Sequence, residues 1–209
     1  LIEFFQGLLL QLLVFFADLT KSSGVAIILL TVTIRLALYP LTLSQSKSMA
    51  AMRELQPKMQ ELQKKYKDKP QEYQKKVMEL YQEHRINPLG GCLPMLIQLP
   101  FLWALFRVLQ EFPLAQREFL MWDLAAPDPL YILPILSGLT TYGQMMLTAT
   151  GDSSQKAMML IMPIFLTWIS TQFPAGLVLY WTVSNVFSIV QQYVINKQLA
   201  AAKKEDKAG

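Results

Sequence analysis

An arginine inside a run that is long enough to cross a bilayer constrains this chain more than any other feature. From Gly24 to Leu43 the residues are apolar apart from threonines and Arg35, in the stretch Thr31-Val32-Thr33-Ile34-Arg35-Leu36-Ala37-Leu38-Tyr39-Pro40. About 20 helical residues at ~1.5 Å each cover the hydrocarbon core. A guanidinium at such depth is penalised by at least ~2.5 kcal/mol. It must face a wet cavity, pair with an acid, or snorkel to an interface.

Composition supports a membrane reading of the whole chain. Of 209 residues, 53% are hydrophobic and 16% charged, where an average soluble domain carries about 25% charge. The mean hydropathy is +0.29. Nearly half of the charge falls between Lys47 and Arg85, which describes a polytopic membrane protein with one aqueous appendage. The single cysteine, Cys92, excludes an internal disulfide framework and a cysteine-rich metal site. His84 is lone and reads as a solvated side chain. There is no catalytic triad, paired intramembrane carboxylate, HExxH motif or phosphate loop, so neither enzyme activity nor a metal or cofactor is expected. No basic patch is interleaved with stacking aromatics, so direct nucleic-acid recognition is not expected.

The expected fold class is an all-α membrane protein: five transmembrane helices, an N-terminal interfacial helix and a cytoplasmic helical hairpin. Residues 1–20 place Glu3, Gly7, Gln11 and Asp18 at helical spacing, one polar stripe on an apolar cylinder too short to span. They carry no basic leader of a signal peptide, and a start at Leu1 leaves upstream sequence expected. The spans are expected at 24–45, 88–110, 129–149, 157–173 and 175–196, with a frayed basic tail at 197–209. The hairpin occupies 46–86. Met49, Met52, Leu55, Met59, Leu62 and Tyr66 form its seam, Lys67-Asp68-Lys69-Pro70 its turn, and Tyr73, Val77, Leu80 and His84 the facing stripe. Pro57 is expected to kink the first arm. Residues 110–128 read as an interfacial segment with aromatic anchors. The hairpin holds ten Lys and Arg, and the tail adds Lys197, Lys203, Lys204 and Lys207. The positive-inside rule therefore puts hairpin and C-terminus in the cytoplasm and the N-terminus outside.

No acidic residue falls within the five expected spans, which removes an internal ion pair for Arg35. Thr31 and Tyr39 share its helical face, Gln98 lies in the second span and Gln144 in the third. The fifth offers Trp181, Ser184, Asn185, Ser188 and Gln191. One such residue means little, since single polar groups often just bond across helices. Together, around an uncompensated arginine, they favour a polar cavity over snorkelling. Such a cavity is suited to an acidic residue of a visiting peptide or to a small anion, so the chemistry alone leaves a small-anion transporter open beside a protein-handling role. A scaffold docking through the hairpin is a third class. Met145, Met146, Met158, Met159 and Met162 read as lipid-facing or core fill, or as an adaptable surface for client helices.

Three motifs carry a resemblance. They are Thr33-Ile34-Arg35-Leu36 with Tyr39-Pro40-Leu41; Asn87-Pro88-Leu89-Gly90-Gly91-Cys92-Leu93-Pro94 with Gln98-Leu99-Pro100-Phe101; and Phe173-Pro174-Ala175-Gly176-Leu177-Val178-Leu179-Tyr180-Trp181 followed by Asn185 and Gln191. In this order, over nearly the whole chain, they resemble the YidC family of membrane protein insertases of the bacterial plasma membrane. The resemblance implies an insertase and chaperone for small single- or double-span proteins. It implies a hydrophilic groove open to cytoplasm and lipid, with Arg35, Thr31, Gln98, Gln144, Trp181 and Asn185 lining it. The implied partners are nascent membrane proteins with acidic outer segments, the lipid bilayer, the ribosome and a protein translocation channel.

Overall fold

The computed structural model describes residues 2–84, 103, 106–107, 118–148 and 153–206. The first helix, α1 (Ile2–Thr20), packs on α2 (Ser23–Ala37). Leu9 and Leu13 face inward, whereas Glu3, Gly7, Gln11 and Asp18 are all exposed. Lys21 takes the left-handed conformation (φ 55°) and its N–H bonds the Ala17 carbonyl at 2.8 Å, which ends α1. Ser22 then caps α2.

The expected continuous span over 24–45 is broken. Helix α2 stops at Ala37 and α3 (Tyr39–Lys65) leaves it at 60°. The cause is Pro40 in the first turn of α3. It has no N–H to continue the ladder, and its ring would clash with the Leu36 carbonyl in a straight helix. Tyr39 is therefore not in line with Thr31 and Arg35. There is no break at the expected join near residue 45; α3 runs on through Pro57 to Lys65.

Helix α4 (Pro70–Glu83) folds back on α3. The seam residues of α3 are buried or half-buried, Leu55 most of all. On α4 the residue that closes the seam is Tyr81, buried, with its hydroxyl 3.3 Å from the Met59 sulfur. His84, expected on that face, is exposed and stands 3.3 Å from the Lys58 ammonium. One helical turn beyond Val77 falls at Tyr81, and the larger ring takes the contact.

After a two-stranded antiparallel ribbon, β1 (Glu118–Phe119) and β2 (Trp122–Asp123), come α5 (Ile132–Thr148), α6 (Ser153–Ser170) and α7 (Ala175–Asp206). The ribbon corrects the purely helical expectation, and its neighbourhood corrects the expected interfacial anchors. Trp122 and Leu124 are buried in the core with Ile27, Leu30 and Leu133, and the Phe119 ring lies where a side chain at Gly24 would stand. The first N–H groups of α7 are satisfied by this segment: Ala175 bonds the Ala126 carbonyl at 2.8 Å and Gly176 the Leu124 carbonyl at 3.0 Å. Asp128 is buried and caps α5, accepting from Leu130 N–H at 2.9 Å and Leu133 N–H at 2.7 Å. Residues 197–206, expected to fray, continue α7 unbroken. Their alanines and lysines are strong helix formers, and cations suit a helix C-terminus.

Helices α2 and α7 lie at the centre, α2 between α1 and α7, and α7 between α2 and α5. Among the described residues no single helix is both long and apolar enough to cross a membrane, while α2 and α3 pass together across their bend. The buried polar residues of α7, Ser184, Asn185, Ser188 and Gln191, dilute its apolar length. Those same residues build the site.

Candidate functional site

Arg35 occupies the last turn of α2, where a cation is favoured by the partial negative charge of the terminal carbonyls. The break at Leu38 creates that terminus. The half-buried guanidinium crosses to α7 and meets the hydroxyl of Ser184, with Nε donating at 2.9 Å and Nη2 donating to the same oxygen. Ser184 is 1% exposed. Its two lone pairs accept both N–H groups, while its backbone carbonyl accepts from Ser188 Oγ at 2.8 Å. Among the described residues the hydrogen-bond partner of the arginine is thus a neutral hydroxyl.

The other expected site residues divide. Thr31, one turn before Arg35, is fully buried and donates its hydroxyl to the Ile27 carbonyl at 2.6 Å, so its polar atom is used within α2. Trp181 and Asn185 turn toward α5. Trp181 Nε1 donates to Thr141 Oγ1 at 3.2 Å, and Asn185 Nδ2 donates to Thr141 Oγ1 at 2.8 Å and Thr140 Oγ1 at 3.3 Å. Gln144, half-buried, continues the Thr140–Thr141 row one turn along α5, without a hydrogen bond to Arg35, Trp181 or Asn185 among the described residues. Gln98 lies outside the described residues. Among the described residues these side chains make two adjoining polar contacts, one from α7 to α2 and one from α7 to α5. They are joined through the neighbouring residues Ser184 and Asn185.

Two contributors, Thr140 and Thr141, were not named from the sequence, and Ser184 and Gln191 were named only among the other polar residues of the fifth span. Ser184 could not be told from Ser188 until the face of α7 that meets α2 was known. Thr140 and Thr141 are common hydroxyls on an apolar helix; only their spacing to Gln144 marks them. Gln191 lies on the Ser184–Ser188 row, is 5% exposed, and has neither amide atom hydrogen-bonded by the described residues. A buried amide in that state is costly. Arg53 of α3 donates through Nη2 to the Leu147 carbonyl in the last turn of α5, and Ser46 donates to Gln192 Oε1 at 3.0 Å. These two contacts tie the base of the hairpin to α5 and α7.

The comparisons with known proteins agree with one another. A family model described as "60Kd inner membrane protein" matches residues 15–204. The chain is 44% identical to "Membrane protein insertase YidC" of Fusobacterium nucleatum, over 94% of this chain and 98% of that one. It belongs to the YidC family. A YidC of Geobacter sulfurreducens is 46% identical over 93% of this chain, which spans 38% of that longer relative. The structure titled "Active YidC insertase crystal structure with the first transmembrane domain resolved" superposes with a TM-score of 0.75 at 34% identity, over 90% of this chain and 46% of that one. The helical fold is therefore that of the YidC insertases, and the Arg35–Ser184 contact lies within the matched region.

Proposed function

We propose that this chain is a membrane protein insertase and chaperone for small single- or double-span proteins, working through a hydrophilic groove that opens to the cytoplasm and to lipid. In this reading α1 lies at the outer interface, α2 with the start of α3 forms the first of five spans, and α5, α6 and α7 supply three others; most of the span expected at 88–110 lies outside the described residues. The α3–α4 hairpin and the end of α7 are cytoplasmic. Arg35, Gln144, Trp181 and Asn185 line the groove, with Thr31 as packing behind Arg35 and Gln98 a further candidate. The basic end of α7 faces the ribosome, and a translocation channel is a further partner.

The observation that carries the reading is that, among the described residues, the guanidinium of Arg35 is held by a serine hydroxyl and not by a carboxylate. The Arg35–Ser184 bond is already charge-assisted through its donor, so what a carboxylate adds is the second charge. At an effective dielectric constant of ~20, two unit charges 4 Å apart attract by ~4 kcal/mol. An acidic residue in the outer segment of a client therefore displaces Ser184. The contact is transient, because the apolar client helix then partitions into lipid and supplies the net driving free energy. No nucleotide enters this scheme.

The test is insertion into vesicles reconstituted with the purified chain. Arg35→Ala and Arg35→Glu are expected to impair clients with acidic outer segments, Glu more than Ala, and Arg35→Lys to retain activity. Ser184→Ala removes only the neutral acceptor and is expected to preserve insertion. Wild-type insertion by Arg35→Glu sinks the electrostatic step. Photocrosslinkers at positions 35, 144 and 181 are expected to capture a stalled membrane-protein nascent chain. Anion flux without such capture would favour a small-anion transporter instead.

A further inference from the structure

Among the described residues, Gln191 is the one side chain with both a buried donor and a buried acceptor left unpaired. The residue is 5% exposed. Burial takes water from its carboxamide, no neighbouring group replaces it, and a group in that state calls for a physical explanation. Ser184, Ser188 and Gln191 follow one another at intervals of four and three along α7, so Gln191 shares the face that carries the Arg35 contact. Seven residues at a rise of 1.5 Å put it about 10 Å from Ser184 along the axis, toward the cytoplasmic end in the topology above. The base of α3 packs at this level. Gln45 and Ser46 are buried there, and Ser46 donates to Gln192, the next residue of α7.

A primary amide carries a donor and an acceptor side by side, the complement of what a peptide group presents. An anion would use the donor alone, and an apolar side chain neither atom. A client segment that crosses before it is helical needs such a partner, because unpaired backbone groups are costly away from water. We propose that Gln191 is a client-binding residue that pairs with the peptide group of an extended client segment, Nε2 donating to its carbonyl and Oε1 accepting from its N–H. The segment reaches the amide by displacing Ser46 from Gln192, a single neutral hydrogen bond. About three extended residues span 10 Å, so the peptide group at Gln191 lies about three residues from the acidic side chain at Arg35. The inference rests on the insertase reading above and adds to it a contact that is blind to client charge.

The experiment measures insertion into reconstituted vesicles for two versions of one client, one with an acidic outer segment and one with those acids replaced by their amides. Gln191→Met keeps an unbranched side chain of similar length and removes the amide. It is expected to lower the initial insertion rate of both clients about fivefold, the effect of one lost neutral hydrogen bond. Arg35→Ala is expected to slow the acidic client only, so the Arg35 step fails separately, by sparing that client. In detergent, Gln191→Met is expected to unfold at no lower a temperature than the parent, because the amide has no resident partner to lose. A stalled client with a diazirine side chain about three residues from its acid is expected to label the unsubstituted chain around residue 191, and one with it about eight residues away is not. Undiminished insertion by Gln191→Met, or a loss confined to the acidic client, would overturn the proposal. So would a lower unfolding temperature, which would make the amide a structural bond, or labelling that misses this part of α7.

Discussion

Asp128 and Arg53 close the two ends of the same helix. The carboxylate of Asp128 takes two N–H groups at the start of α5, and Arg53 takes the Leu147 carbonyl at its end. Burial of the Arg53 guanidinium lowers its pKa, the direction desolvation dictates for a cation. Asp128→Ala is expected to cost about 1 kcal/mol, the usual loss of a cap, and Asp128→Asn less. Thermal unfolding in detergent reads the difference. At this scale the sequence disclosed the unusual residues and not their partners. Arg35 stands out because a charge inside an apolar run is rare. Ser184 does not, because which of several serines meets it depends on the rotation of α7 against α2. That rotation is set by packing of Leu177, Val178 and Tyr180 in a core drawn from four helices and the ribbon.

The helices themselves were more legible than their ends. The three-four spacing of Met49 through Tyr66 predicted a two-helix seam, and its residues are half-buried, with Leu55 buried. Boundaries were lost where one residue permits two outcomes. Pro40 can sit inside a kinked span or open a new helix, and here it opens α3. Trp122 reads as an interfacial anchor from composition, yet a ribbon folds it inward beside Leu124. The approach of α5 to α6 rests on Gly138, where an added Cβ would run into the Thr167 side chain and stand 3.1 Å from the Pro163 carbonyl. Gly138→Leu is expected to force the helices apart and destabilise the protein by about 1–3 kcal/mol, the range for overpacking. Gly143→Ala, which would meet only a side-chain methyl at 3.3 Å, serves as the mild control in the same melt.

Across the whole molecule, α2 is anchored on both sides, by α1 and by α7, whereas α3 leaves that core at the Leu38 break. Beyond the Arg53 and Ser46 contacts, the rest of α3 has α4 as its neighbour. Pro40→Ala permits a straighter passage from α2 into α3. Spin labels at the exposed positions Lys21 and Lys64 are then expected to separate by up to about 8 Å more than in the parent chain, from a rise of 1.5 Å per residue and a fully relaxed bend. An unchanged distance would mean that the contacts at the base, and not the proline, hold the angle. The 27 residues of α3 make an arm about 40 Å long. With the Ser46 and Arg53 contacts released, the arm pivots at Leu38 and multiplies small rotations: a tilt of about 10° sweeps its far end through about 7 Å. Residues 33–37, next to the pivot and carrying Arg35, scarcely move. The bend thus works as a lever, and motion of the hairpin tip does not require motion of the arginine.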